Sequence, residues 1–358
     1  MPTLRIVTAH SGGLLNDATI YQNIFKYYGF DVILLTYTYG KRPHQVQKFA
    51  TVNLFLENIQ WDRLKQTFPS KINLFMPNYE LFYDFKQLVH IDYVLCKTKI
   101  SLEMFTHLQT EHSYSYQCIY TKFTTYIPFG LRVPYKKPIV KNSNLFVHLA
   151  GKSPMKGTTD LVYCWIQNKG FLDIDPEIKL VITCYQKCHT RMLEYLKTRF
   201  QFTFEWEPDQ TSSIFTYLNL TLHTVPVPDT EYVRLLTQAN VAVCPSEREG
   251  YGHYINEARY FGTFVLTIDY PPMNELITDQ QNGILVHKYK SEPRDLPETT
   301  FVTHKVYPDQ TALKEGLIYC IRNKNSFSSN QLAYRKRYFT DMKYFDQTMG
   351  NLVKSLKN

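Results

Sequence analysis

The chain has 358 residues, is 44% hydrophobic and 20% charged, and carries a formal net charge of +8. That is an ordinary composition for a water-soluble globular protein, and no apolar run approaches the ~18 residues of a membrane-spanning helix. The basic surplus suits a protein that handles anions: nucleic acid, an acidic membrane face or a diphosphate-bearing substrate.

Two domains are expected at this length. Residues 4–9 read as a strand, and the N-terminus lacks the basic-then-apolar layout of a signal peptide. A turn over residues 10–14 leads into helical spacing over 16–28, which Gly29 closes. Residues 31–36, 72–76 and 93–96 are further strands, and strand–helix alternation implies a parallel sheet with right-handed crossovers. Residues 133–144, with two prolines and three lysines, have the composition of an interdomain linker.

Alternation then restarts. Strands are expected at 145–150, 179–184, 218–223, 264–268 and 283–286, with helices at 158–168, 192–200 and 229–239. Residues 287–308 fit no regular element and read as a long loop, and helices follow from 309 to the end. Domains are expected at 1–140 and 141–325, with helices over 326–358 packing back toward the first. Seven cysteines, an odd number, fit free thiols in a reducing, cytoplasmic setting. Cys184 and Cys188-His189 lack a second ligand pair, so no metal is expected.

Two stretches carry chemistry. In His148-Leu-Ala-Gly-Lys-Ser-Pro-Met-Lys-Gly-Thr158, between a strand and a helix, Lys152 and Lys156 flank an open backbone. Two ammonium groups there can neutralise a diphosphate and stabilise it as a leaving group. It is not a Walker loop, because the glycine and lysine order differs. The second stretch, Ser246-Glu-Arg-Glu-Gly-Tyr-Gly-His-Tyr-Ile-Asn-Glu-Ala258, reads as a glycine-rich loop entering a helix and places Glu249 and Glu257 eight apart. Such a helix entrance favours an anion. Carboxylates flanking it would repel phosphate, so they must face sugar hydroxyls instead.

Together the two stretches resemble the signature of GT-B glycosyltransferases, in particular family-four-like retaining enzymes. The likeness continues through Phe264-Val-Leu-Thr, Asn274-Glu-Leu-Ile and Asn282-Gly-Ile-Leu-Val286. It implies two facing Rossmann-like α/β domains with parallel sheets and a helical C-terminal segment, the donor held by the second domain and the acceptor by the first. It further implies that Glu257 holds the ribose diol. Glu249, with the backbone of Gly250, Tyr251 and Gly252, would meet the transferred sugar and the distal phosphate. Lys156, helped by Lys152, would bind the diphosphate, and the loop with Gly12 and Gly13 would approach the phosphates or the acceptor. Thr224 and Val225 would border the base.

The chain departs from this pattern in three places. Lys152 stands where the family usually has arginine, and its distance to Lys156 is one residue shorter than common. No histidine follows the central strands of the first domain; Phe75-Met-Pro-Asn-Tyr-Glu80 offers Asn78 or Glu80 instead.

The expected reaction is retaining transfer of a sugar from a UDP- or GDP-linked donor to a glycan, glycolipid or glycoprotein hydroxyl, with no cofactor or metal. Alternatives are a nucleotide-sugar-binding protein without catalysis and a glycosyltransferase acting on modified DNA. A plain nucleic-acid-binding module explains the charge but not the glutamates, so nucleic acid is not the expected partner. Two-carboxylate glycoside hydrolysis has no use for a basic diphosphate site. The run Arg335-Lys336-Arg337 reads as a solvated helix face with slight encouragement for peripheral membrane contact.

Overall fold

A computed structural model describes residues 1–38, 48–59, 68–82, 84–124, 133–185, 190–192, 194, 198, 214–296 and 298–357. The chain divides into two compact units. The first comprises residues 1–132, 294–303 and 340–358; the second comprises 133–293 and 304–339.

The first unit is built on six parallel strands: β1 (Thr3–Ala9), β2 (Asp31–Tyr37), β3 (Ala50–Glu57), β4 (Ser70–Pro77), β5 (Tyr93–Cys96) and β6 (Gln117–Tyr120). Their order in the sheet is β2-β1-β3-β4-β5-β6. Central strands such as β1 and β3 are buried almost throughout, as both-face coverage by helices requires. Helix α1 (Gly12–Tyr27) begins earlier than the sequence pattern indicates, so Gly12 and Gly13 form its first turn rather than a free loop. Gly29 lies at φ +78°, a left-handed residue past the helix end. Helix α2 (Lys99–His112) is capped by Thr98, whose hydroxyl accepts from the Ser101 N–H at 3.3 Å.

The second unit holds β7 (Asn142–Gly151), β8 (Lys179–Cys184), β9 (Ile214–Tyr217), β10 (Leu220–His223), β11 (Ala239–Cys244), β12 (Phe264–Ile268) and β13 (Gly283–Val286). The order is β13-β12-β11-β7-β8-β10-β9, parallel except for the β9–β10 pair. Helices α3 (Thr158–Gln167), α4 (Asp229–Gln238), α5 (His253–Tyr260) and the short α6 (Met273–Leu276) connect them. Strand succession moves one way from β7 to β8 and β10, and the other way from β11 to β12 and β13. The reversal makes β7 and β11 neighbours, and the crevice beyond their carboxyl ends is where open α/β sheets bind ligands.

Two expectations fail. Residues 287–308 are not a structureless loop: β14 (Lys288–Asp295) and β15 (Val302–Pro308) form a two-stranded sheet. The polar, half-exposed sequence of β14, with Pro293 inside it, hides this pairing from periodicity. The Arg335 run is not uniformly a solvated face: Lys336 is exposed, but Arg335 is not. The Arg335 side chain is fully buried in helix α7 (Gln310–Ser355). It donates to the carbonyls of Val133, Pro134, Tyr135, Lys137 and Tyr260 at 2.8–3.2 Å. A helix as long as α7 is apolar only in stripes, and none of the described helices could cross a membrane.

Candidate active site

The loop after β7 carries Lys152 and Lys156, and the loop after β11 carries Glu249; because the strands are neighbours, the loops meet. Gly157, at φ +66°, marks how closely: a Cβ there would sit 2.0 Å from the Pro245 carbonyl oxygen. Only glycine fits that position. His148 braces the same junction. Its Nδ1 donates to the Val243 carbonyl at 2.7 Å, and its Nε2 accepts from the Thr158 hydroxyl at 2.8 Å. A carbonyl can only accept, so Nδ1 carries the proton, and complete burial keeps the ring neutral by lowering its pKa to about 4.

Across this junction Lys156 Nζ lies 2.5 Å from Glu249 Oε1. Its ammonium also stands 4.0 Å from the Tyr254 ring centroid, within cation–π range. The Ser246 hydroxyl donates to the same carboxylate oxygen at 2.5 Å and is itself held by the Tyr254 phenol. A relay therefore runs from Tyr254 through Ser246 to Glu249, with burial first and the Glu249 charge among the further causes pushing the Tyr254 pKa well up. Glu249 is only 7% exposed, so its charge is tolerated because it is paired.

Glu257 sits in α5, whose N-cap residue Gly252 (φ +99°) provides no side-chain cap to the first turn. The Tyr232 hydroxyl donates to Glu257 Oε2 at 3.1 Å. Burial nonetheless raises the Glu257 pKa, against the opposing pull of His253, Tyr232 and Lys156. Gly250, Tyr251 and Gly252 are buried beside these groups, while Lys152 is exposed on the same loop as Lys156. Thr224, 7% exposed, and Val225, 36% exposed, follow β10 two strands away from β7.

Gly12 and Gly13 belong to the first unit, exposed at the start of α1. That unit has its own polar cluster at the strand ends. Lys97 Nζ lies 3.4 Å from Asp17 Oδ2 and donates to Asn78 Oδ1 at 2.5 Å, and Asn78 Nδ2 donates to Glu57 Oε1 at 2.7 Å. Asn78 is thus locked into a network. The Glu80 carbonyl accepts from Arg294.

Sequence reasoning missed several site residues. Ser246 and Tyr254 lay inside the quoted motif and were detectable there as polar groups flanking Glu249. His148 and Tyr232 gave no signal, because a single histidine in a strand and a tyrosine in a helix are uninformative until their partners are known. Cys188-His189 lies outside the described residues, and Cys184 is a free thiol, as are Cys96, Cys118, Cys164, Cys244 and Cys320. Among the described residues, no three His, Cys, Asp or Glu side chains are grouped to hold a metal ion.

The sequence profile of the family described as Glycosyl transferases group 1 matches residues 218–296, which include Glu249 and Glu257. No curated protein sequence matches the chain. Solved structures do. Sucrose-phosphate synthase from Thermosynechococcus elongatus is 15% identical, with 99% of each chain covered and a TM-score of 0.63. A trehalose-6-phosphate synthase described in terms of glycosyl transfer with retention is 9% identical, covering 99% of this chain and 98% of that one, with a TM-score of 0.63. An α,α-trehalose-phosphate synthase (UDP-forming) from Burkholderia vietnamiensis is also 9% identical, covering 99% and 100% respectively, with a TM-score of 0.60. At such identities the likeness is one of fold, and the fold is that of the GT-B glycosyltransferases. The second unit adds the glycosyl transferases group 1 sequence signature to that fold, and the two together support glycosyl transfer.

Proposed function

We propose that the protein is a retaining glycosyltransferase that takes its sugar from a nucleoside diphosphate donor and gives it to an acceptor hydroxyl on a glycan, glycolipid or glycoprotein. The observation that carries this reading is the 2.5 Å contact of Lys156 with Glu249 beside the first turn of α5, at the β7–β11 switch point. A cation, a helix entrance without a side-chain cap and two carboxylates meet where open sheets bind ligands. The cation and helix end suit a diphosphate; the carboxylates suit hydroxyl groups, each able to accept two. The printed descriptions of the fold relatives, one retaining and one UDP-forming, agree with this assignment.

In this reading Glu257 accepts the ribose diol, with Thr224 and Val225 near the base. Lys156, with Lys152 beside it, meets the diphosphate; Glu249 and the backbone of Gly250, Tyr251 and Gly252 meet the sugar. The bond from the anomeric carbon to the phosphate oxygen breaks, and its electron pair leaves with the diphosphate. Lys156, largely buried, stabilises that developing charge where such a contact counts most. The acceptor oxygen bonds to the same face of the sugar, and its proton passes to the leaving phosphate oxygen. These steps use neither a metal nor a protein base.

The test is nucleotide release from a panel of UDP- and GDP-linked sugars. Sugar-dependent release that Glu249→Gln reduces by at least a hundredfold supports the proposal. Nucleotide binding without any turnover would instead indicate a binding protein.

A further inference from the structure

Behind the loop that carries Lys156 lies a second hollow of about 190 Å³. The loop forms a shared wall: Ser153, Pro154 and Met155 line the hollow, while Lys156 turns the other way to Glu249. Glu247, with Lys305 and Tyr307 of β15, also lines it, as does the exposed Arg191. Its size is below the ~300–1,000 Å³ of sites for drug-sized ligands, so it admits a monosaccharide-sized group or smaller.

The chemistry of the walls selects an anion. Lys305 is ion-paired with Glu247 at 2.7 Å and contributes little net charge while that pair holds. Among the described residues Arg191 has no ion-pair partner. Hydroxyls of Ser153 and Thr159 also line the hollow, whereas the Tyr307 hydroxyl is already donated to Glu292 at 3.1 Å. A guanidinium fork with nearby hydroxyls fits tetrahedral, multiply charged oxygens better than a single carboxylate. Met155 and Met192 give the floor an apolar part that can lie against a carbon skeleton.

We infer that this hollow is a second ligand site, distinct from the donor site, for a small phosphate-bearing molecule. It is mechanically tied to the catalytic loop through one residue. The Glu247 N–H donates to the Met155 carbonyl at 2.9 Å, and the Glu247 carbonyl accepts from the Val306 N–H at 2.9 Å. A ligand that engages Lys305 therefore acts on the segment two residues from Glu249. Occupancy of one site then changes affinity at the other by a reciprocal factor.

The experiment is calorimetric titration of the whole protein with glucose 6-phosphate and, separately, with inorganic phosphate. The variants are Arg191→Met, Lys305→Met and Lys156→Met. The inference expects binding of at least one probe that weakens tenfold or more in Arg191→Met and Lys305→Met but changes less than threefold in Lys156→Met. Arg191 is exposed, so its variant keeps the fold and remains informative if Lys305→Met disturbs the loop. The same loss in Lys156→Met with none in Arg191→Met would place the anion in the donor site and overturn the inference. Absence of binding by either probe at 10 mM would overturn it too. Both outcomes are independent of whether any nucleotide sugar is turned over.

Discussion

Removing the Lys156 ammonium probes the site most sharply. At 2.5 Å from Glu249 the pair attracts by about 7 kcal/mol at an effective dielectric of about 20. Much of that is offset by desolvation, since the two side chains are only 15% and 9% exposed. Lys156→Met leaves the carboxylate with the Ser246 hydroxyl alone, and stranding a buried charge in this way costs about 3 kcal/mol. Glu249→Gln strands a less buried ammonium and costs less, and the double variant recovers most of the loss. The cycle should therefore show a coupling of about 2 kcal/mol in urea unfolding. Calorimetry with UDP gives the functional half. Losing one charge-assisted phosphate contact costs about 1.5–3 kcal/mol, or roughly tenfold to 150-fold in affinity. Glu249 competes with the diphosphate for Lys156, so Glu249→Gln should bind UDP at least as tightly as the wild type while losing turnover. Additive stability effects, or equal loss of UDP affinity in both variants, would refute the reasoning.

Four further expectations follow from the same geometry. Gly157→Ala should lose about 2 kcal/mol or more and its UDP affinity, because the new Cβ meets the Pro245 carbonyl; Gly151→Ala, left-handed but in open space, should lose only about 1 kcal/mol. His148 has a folded pKa of about 4 against an ordinary 6.5. The unfolded chain therefore gains a proton in that window that the folded one does not, and about 3 kcal/mol of stability drains away as pH falls from 6.5 to 4. Urea unfolding of His148→Gln at pH 7.5 and 5 should lose most of that slope. For Glu257 the pKa is raised, so UDP affinity should begin to fall, on acidification, at a higher pH than an ordinary glutamate sets, and Glu257→Gln should remove that limb. Arg335→Leu should lose about 3 kcal/mol or more in urea unfolding, as the buried Tyr260 carbonyl and four part-buried carbonyls lose their donor.

The parallel-sheet architecture was legible because strands such as β5, β8, β12 and β13 are short, apolar and flanked by turn residues. β3 escaped notice: Asn53 interrupts its apolar run, and only the structure shows that residue bonded to Arg5 at 2.9 Å and to Asn73 at 3.0 Å. β14 was hidden for the opposite reason, being polar along its length. At the site, local spacing placed Lys156 and the two glutamates on the loops and helix where they are found. It could not show that β7 and β11 are adjacent, since that depends on sheet order. Nor could it separate Arg335, a buried hub, from its exposed neighbour Lys336, because identical charge reads identically in sequence.

The central claim is that a nucleoside diphosphate lies at the β7–β11 switch point, and a crystal structure of the protein with UDP tests it most directly. The account predicts the diphosphate within hydrogen-bond reach of Lys156 Nζ and the first turn of α5, with the ribose hydroxyls on Glu257. UDP bound elsewhere, with Lys156 still closed on Glu249 and the α5 entrance unoccupied, would contradict it.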